Sequence, residues 1–182
     1  MNSRRARLPG DPTPRDAVAR VIRVDHAGEY GAVRIYAGQL AVLGRSSQAA
    51  VVREMAAQEQ KHLEAFNELV VRRRVRPTVM LPIWHLAGFA LGAVTAALGT
   101  RAAMACTVAV EEAIDAHYAG QITAFDAAEA DLCATLSRFR DEELQHRDTG
   151  LAHGARGAPG FRLLTGAIKA GCRAAIVISE RV

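Results

Sequence analysis

An all-α bundle of four principal helices around a shared polar centre is the fold the sequence predicts, and three observations predict it. Glu59-Gln60-Lys61-His62 is a Glu-x-x-His that recurs as Glu143-Leu144-Gln145-His146. Residues three apart on a helix stand side by side, roughly 5–6 Å between Cβ atoms, so each pair aims a carboxylate and an imidazole at one point. Each pair also follows a helical stretch with its own Glu, since Glu29 lies 30 residues before Glu59 and Glu111 lies 32 before Glu143. Finally, Tyr36-Ala37-Gly38-Gln39, seven residues beyond Glu29, returns as Tyr118-Ala119-Gly120-Gln121, seven beyond Glu111. The repeat divides the chain into two related hairpins, 15–74 and 101–152. It also selects Glu111 over Glu112, which points about 100° away round the helix.

One Glu from each of two helices and one Glu-x-x-His from each of two others is the donor pattern of a carboxylate di-metal bundle. The predicted ligands are Glu29, Glu59, His62, Glu111, Glu143 and His146. Four buried carboxylates repel one another unless cations compensate them, and two Fe²⁺ bring the sum close to neutrality. Oxygen-rich donors with a few imidazoles suit iron that must bind dioxygen. The expected fold is therefore a ferritin-like four-helix di-iron bundle with an apolar crossover helix and a C-terminal helix. His62 and His146 are expected to cap one iron each, and the pattern leaves open which Glu residues bridge. Asp25, one turn before Glu29, reads either as a residue orienting a metal-bound His or as a helix-surface Asp, and Tyr118, on the inward face of the Glu111 helix, either as a residue lining the site or as a packed core Tyr.

Taken in order, residues 1–14 hold Pro9, Gly10, Pro12 and Pro14 and read as a flexible basic tail. A single domain follows over 15–182. Apolar residues at spacings of three and four begin near Arg15 and run past Leu43. Gly44 to Ser47 breaks them, with Ser46 or Ser47 as the expected N-cap of a second helix ending near Arg74. Four arginines within 72–76 and Pro77 precede an apolar segment, 81–98, without a charged side chain apart from His85. About 27 Å of helix is at the lower edge of a bilayer span. A crossing would put the two halves of the site on opposite sides of the membrane, so an embedded helix lying in one face is the reading, with Trp84, Phe89 and Leu91 facing lipid. Gly88 and Gly92 are spaced for close helix contact, and a homodimer through that face is an expectation. Helices over about 101–126, 129–152 and 160–181 complete the chain.

Composition excludes other classes. At 182 residues the chain suits one domain, and half of it is hydrophobic with only 5% aromatic. Three scattered cysteines without a Cys-x-x-Cys argue against a disulfide framework or a thiolate zinc site and for a reducing compartment. The net charge of +4 fits an anionic membrane surface or nucleic acid equally well and alone decides nothing; with the other features, no nucleic-acid partner is expected.

Longer runs carry a family resemblance. Arg23-Val24-Asp25-His26-Ala27-Gly28-Glu29-Tyr30-Gly31-Ala32, Arg74-Val75-Arg76-Pro77-Thr78, Ala105 to Glu112, Phe139 to His146, Ala170-Gly171-Cys172-Arg173 and Ser179-Glu180-Arg181 resemble the demethoxyubiquinone hydroxylases of ubiquinone biosynthesis. The resemblance covers about 20–182, and the stretch Phe125 to Asp131 is shorter than in that family. It implies a membrane-bound di-iron monooxygenase that uses O2 to add a ring hydroxyl to a polyprenylated demethoxyquinol. It carries the metal ligands onto the same six residues. An external reductant is implied, NADH or a quinol-reducing partner, together with partner proteins of the same biosynthesis. No Gly-x-Gly-x-x-Gly occurs, so any NADH contact is a surface dock. The implied place is the cytoplasmic face of a bacterial membrane, or else the matrix side of the mitochondrial inner membrane. The rival readings are a ferritin-like ferroxidase or iron-storage protein, a radical generator using Tyr30, Tyr36 or Tyr118, and a non-catalytic membrane adaptor.

Overall fold

The computed structural model describes residues 13–125 and 129–182, so the expected tail lies, but for its last two residues, outside the described residues. Residues 126–128 of the short connection noted above also lie outside them. The described residues form six α-helices: α1 (Pro14–Leu43), α2 (Ala49–Arg73), α3 (Leu81–Ala97), α4 (Thr100–Ala124), α5 (Ala130–Ala152) and α6 (Phe161–Ser179). A single 3-10 turn, Ala155–Gly157, joins the last two.

Local chemistry fixes the ends. Thr13 opens α1 with a capping box: its hydroxyl accepts from the Asp16 N–H (3.1 Å), and Asp16 accepts from the Thr13 N–H (2.8 Å). Pro14 occupies the first turn, where its missing N–H costs nothing, so the helix starts within the stretch read as tail. The cap of α2 falls on Gln48 rather than on either serine, and the Ser46 hydroxyl instead accepts from the Gln48 N–H (3.3 Å). Gly99, at φ 113°, supplies the left-handed turn that starts α4 directly after α3.

α1 packs along α2 and α3, and α4 packs along α5 and α6, so the sequence repeat becomes two three-helix halves. Small side chains bring α4 to the centre: every residue from Ala102 to Glu111 is buried, four of the ten being alanine. Two apolar clusters plug the ends. One gathers Ile22, Phe66, Leu132, Leu136 and Phe139; the other gathers Val52, Met55, Met104 and Val108. Along all four principal helices, the six predicted ligands fall between these clusters.

The close contact predicted for Gly88 and Gly92 is made within the chain, against α1. A Cβ on Gly92 would collide with the Ile35 carbonyl oxygen, and one on Gly88 would lie 2.8 Å from that of Gly31. That face is therefore filled and cannot receive a second copy. The outward side of α3 differs in detail from expectation as well. Phe89 is exposed, with the Arg34 guanidinium 5.2 Å above its ring. Trp84 turns its indole N–H to the Ser179 hydroxyl of α6 (3.0 Å), and Leu91 packs on the cluster around Cys106 and Ile168. With Phe89, the residues that face outward are Ile83, Leu86 (71% exposed) and Val94 of α3 and Leu98 at its end, together with Leu163 (81%), Val177 and Ile178 of α6. Among the described residues, no helix is long and apolar enough to cross a membrane.

Candidate metal centre

Helical spacing puts all six predicted ligands on inward faces, and the packing of the halves brings them together. Each is at most 2% exposed. Donor atoms of Glu29, Glu59, His62 and Glu143 lie within 4.8 Å of one another, and so do those of Glu59, Glu111, Glu143 and His146. Glu59 and Glu143 belong to both groups. Glu112 points away and pairs with Lys169 of α6 (2.7 Å), as the repeat register requires.

Both imidazoles are oriented the same way. His62 Nδ1 faces Glu143 Oε1 (3.0 Å) and Glu29 Oε2 (3.5 Å), while His146 Nδ1 faces Glu59 Oε1 (2.9 Å) and Glu143 Oε2 (3.3 Å). The outer Nε2–H of His62 donates to Glu142 Oε2 (2.5 Å), and that of His146 to Gln58 Oε1 (2.7 Å). These acceptors fix the tautomer and leave Nδ1 aimed at the carboxylates.

The repeated tyrosines cross over. Tyr36, on the Glu29 helix, donates to Glu111 Oε1 (3.1 Å), and Tyr118, on the Glu111 helix, donates to Glu29 Oε1. Tyr118 thus reaches the donor cluster from the opposite half. Asp25 does not orient either ligand histidine. It is buried and accepts from the Gln121 amide (2.8 Å), with His117 Nε2 3.3 Å away. Sequence reasoning missed Glu142 and Gln58, although both stand immediately before the Glu of a Glu-x-x-His. Tyr36 carried a role only in the radical-generator reading, although the repeat pairs it with Tyr118.

The charge balance shows what this core lacks. Burial, reinforced by the Glu143 charge, pushes the Glu59 carboxyl up to about 8, and raises Glu29 and Glu111 as well. Glu143 is the exception: burial opposes its charge, but hydrogen bonds from His146, His62 and Glu111 outweigh burial and bring it down to about 2. Burial likewise disfavours charged imidazoles, yet hydrogen bonds to Glu143 and Glu29 raise His62 to about 11, and those to Glu143 and Glu59 raise His146 to about 9. Protons therefore hold the cluster together where cations would displace them. Several donor atoms are held by close approaches without an aligned hydrogen bond (Glu29 Oε2, Glu59 Oε1, Glu143 Oε2 and His146 Nδ1, at 2.9–3.5 Å), and Glu59 Oε2 and Glu111 Oε2 are left without one as well. Orphaned buried acceptors converging on two points fit two divalent cations.

An all-α bundle with a buried four-carboxylate, two-imidazole core belongs to the class of helical-bundle carboxylate proteins with a donor set for a metal pair. Within that class the match is specific. The chain belongs to the family described as Ubiquinone biosynthesis protein COQ7, whose model matches residues 16–179. It is 60% identical to the 3-demethoxyubiquinol 3-hydroxylase of Rhodospirillum rubrum, over 97% of this chain and 84% of that protein. It is 56% identical to the human mitochondrial NADPH-dependent 3-demethoxyubiquinone 3-hydroxylase, over 94% of this chain and 81% of that protein. To the mitochondrial 5-demethoxyubiquinone hydroxylase of Saccharomyces cerevisiae it is 42% identical, over 90% and 77%.

Proposed function

We propose that this chain is the 5-demethoxyubiquinol hydroxylase of its ubiquinone pathway, an O2-dependent di-iron monooxygenase acting on a polyprenylated benzoquinol. Among the relatives, one is named a 3-demethoxyubiquinol 3-hydroxylase and another a 5-demethoxyubiquinone hydroxylase. The pair of donor clusters sharing Glu59 and Glu143 carries the reading. In it Glu59 and Glu143, common to both groups, would serve both irons, Glu29 and His62 would complete one half, and Glu111 and His146 the other. Bound there, the irons supply reductive activation of dioxygen and insertion of one oxygen atom into the ring. The quoted relatives are all named hydroxylases, which leaves the ferroxidase and storage reading without support.

The chain's own residues shape the site around that chemistry. Tyr36 and Tyr118 each hold one oxygen of a terminal carboxylate, leaving its partner oxygen to turn inward. The apolar clusters above and below keep bulk water from the donors. The outward apolar stripes of α3 and α6, flanked by Arg72, Arg73, Arg74 and Arg76, suit a peripheral seat on an anionic bilayer, where the isoprenoid substrate resides. In this reading the seat is the cytoplasmic face of a bacterial membrane or the matrix side of the mitochondrial inner membrane. The reductant comes from outside the chain. NADH is our reading, and the mammalian relatives are named NADPH-dependent.

A single turnover tests this. Protein loaded anaerobically with Fe(II) and given a demethoxyquinol in detergent is exposed to ¹⁸O₂, and the extracted quinone is weighed by mass spectrometry. One ¹⁸O in the ring is expected. Iron oxidation with unlabelled quinone overturns the hydroxylase reading.

A further inference from the structure

The two Glu-x-x-His helices, α2 and α5, superimpose in sequence at a constant offset: Glu59 on Glu143, His62 on His146 and Gln58 on Glu142. The packing crosses these last two over. His62 of α2 is backed by Glu142 of α5, and His146 of α5 by Gln58 of α2. The set of donors nearer the centre is matched between the halves: one private carboxylate held by a tyrosine, one imidazole, and the two shared carboxylates. The outer acceptor is not matched, being an anion on one side and a neutral amide on the other.

We propose that Glu142 is a positioning residue that makes the His62 half the tighter of two unequal metal sites, filled before the His146 half. The proposal rests on the di-metal reading above. An anionic acceptor on Nε2–H makes a charge-assisted hydrogen bond, roughly twice as strong as a neutral one. It pushes electron density onto Nδ1 and so makes that nitrogen the better donor to a cation. It also adds a negative charge near one ion and not the other. The Glu142 side chain is 30% exposed, so solvent screens part of that charge, and the hydrogen bond rather than the distant Coulomb attraction carries the difference. A second departure from the repeat falls on the same side. Gln121 of α4 reaches Asp25, whereas Gln39 of α1 reaches Thr107, the residue at the corresponding position of the other half. Asp25 lies one turn from Glu29, so its half of the centre again has an acidic residue where the other has a neutral one.

Anaerobic titration of the metal-free full chain with Co(II), followed by calorimetry and by d–d absorption, reads the two sites without turnover. Wild type is expected to show two sequential events separated at least about tenfold in affinity. Glu142→Gln should weaken the first event by about 10–100-fold and merge it with the second. Gln58→Glu should tighten the second event, and the double exchange should restore the separation. Thermal midpoints of the metal-free variants establish that each is folded. Two indistinguishable events in wild type overturn the proposal. So does a Glu142→Gln variant that keeps the separation, or one that weakens both events equally. Failure of wild type to take up two ions overturns the di-metal reading instead.

Discussion

Helices α1–α3 and α4–α6 set the same side chains at the centre and solve the packing behind it differently. In the first half, α3 lies against α1 with backbone on backbone. Gly38 of α1 and Gly88 and Gly92 of α3 leave no room for a Cβ. In the second half, α6 lies against α4 through side chains, with Thr165 and Ile168 buried and Gly166 and Gly171 facing open space. Both arrangements leave an apolar outer stripe, but α3 is held closely enough to fix α1, the helix that carries Glu29. Inward chemistry is duplicated between the halves, whereas the supporting layer is built separately in each.

The sharpest break comes from the residues both halves share. Glu143→Ala removes a donor from both clusters and should cost both metal ions and reduce turnover to background, measured by metal analysis and quinol hydroxylation. Glu111→Ala touches one cluster only and should leave one ion bound. Equal losses in the two variants would contradict the shared-carboxylate assignment.

Proton and metal compete for the same cluster, so pH separates the loaded and metal-free proteins. Glu59 and His62 have folded values raised above their ordinary 4.5 and 6.5, to about 8 and 11. The stability each contributes is complete below its ordinary value and is lost as pH rises through the raised one. Glu143 is lowered to about 2, so its contribution is lost only as pH falls from about 4.5 through that value. The metal-free thermal midpoint should therefore fall between about pH 6 and 9, while the stabilisation given by metal grows over the same range. A metal-free midpoint that rises across that window would contradict the protonated-core account.

Gly92→Ala forces a Cβ into the Ile35 carbonyl and should destabilise by about 3 kcal/mol, at the upper end of overpacking effects, seen in urea unfolding. Tyr118→Phe and Tyr36→Phe each strip a hydrogen bond from a buried carboxylate, at about 1–2 kcal/mol. Gly171→Ala on α6 meets open space and should stabilise by about 0.5–1 kcal/mol. If Gly92→Ala and Gly171→Ala behaved alike, the contrast between α3 and α6 would fail.

Helical period and turn chemistry made the six helices legible in the sequence, and the doubled Glu-x-x-His made all six clustered donors legible. The pair common to both donor groups was not, because Glu59 and Glu143 are singled out only when two helices distant in sequence face each other. Gly88 and Gly92 announce a close contact without naming the partner, which is α1 and not a second chain. Trp84 and Leu91 lie on an apolar helix whose sides look alike until α6 and the Cys106 cluster occupy one of them. Asp25 looks like a solvated helix residue until α4 brings Gln121 over it. Glu142 and Gln58 did carry a signal, since they share the repeat offset, but their roles depend on the crossing of α2 and α5.

The central claim is that two helical halves build one centre for two metals around Glu59 and Glu143. Anaerobic equilibrium dialysis of wild type and Glu143→Gln against Fe(II) tests it most directly. The account predicts two irons per wild-type chain and fewer than one per variant chain. A single iron per wild-type chain, or a variant that still retains two, would contradict it.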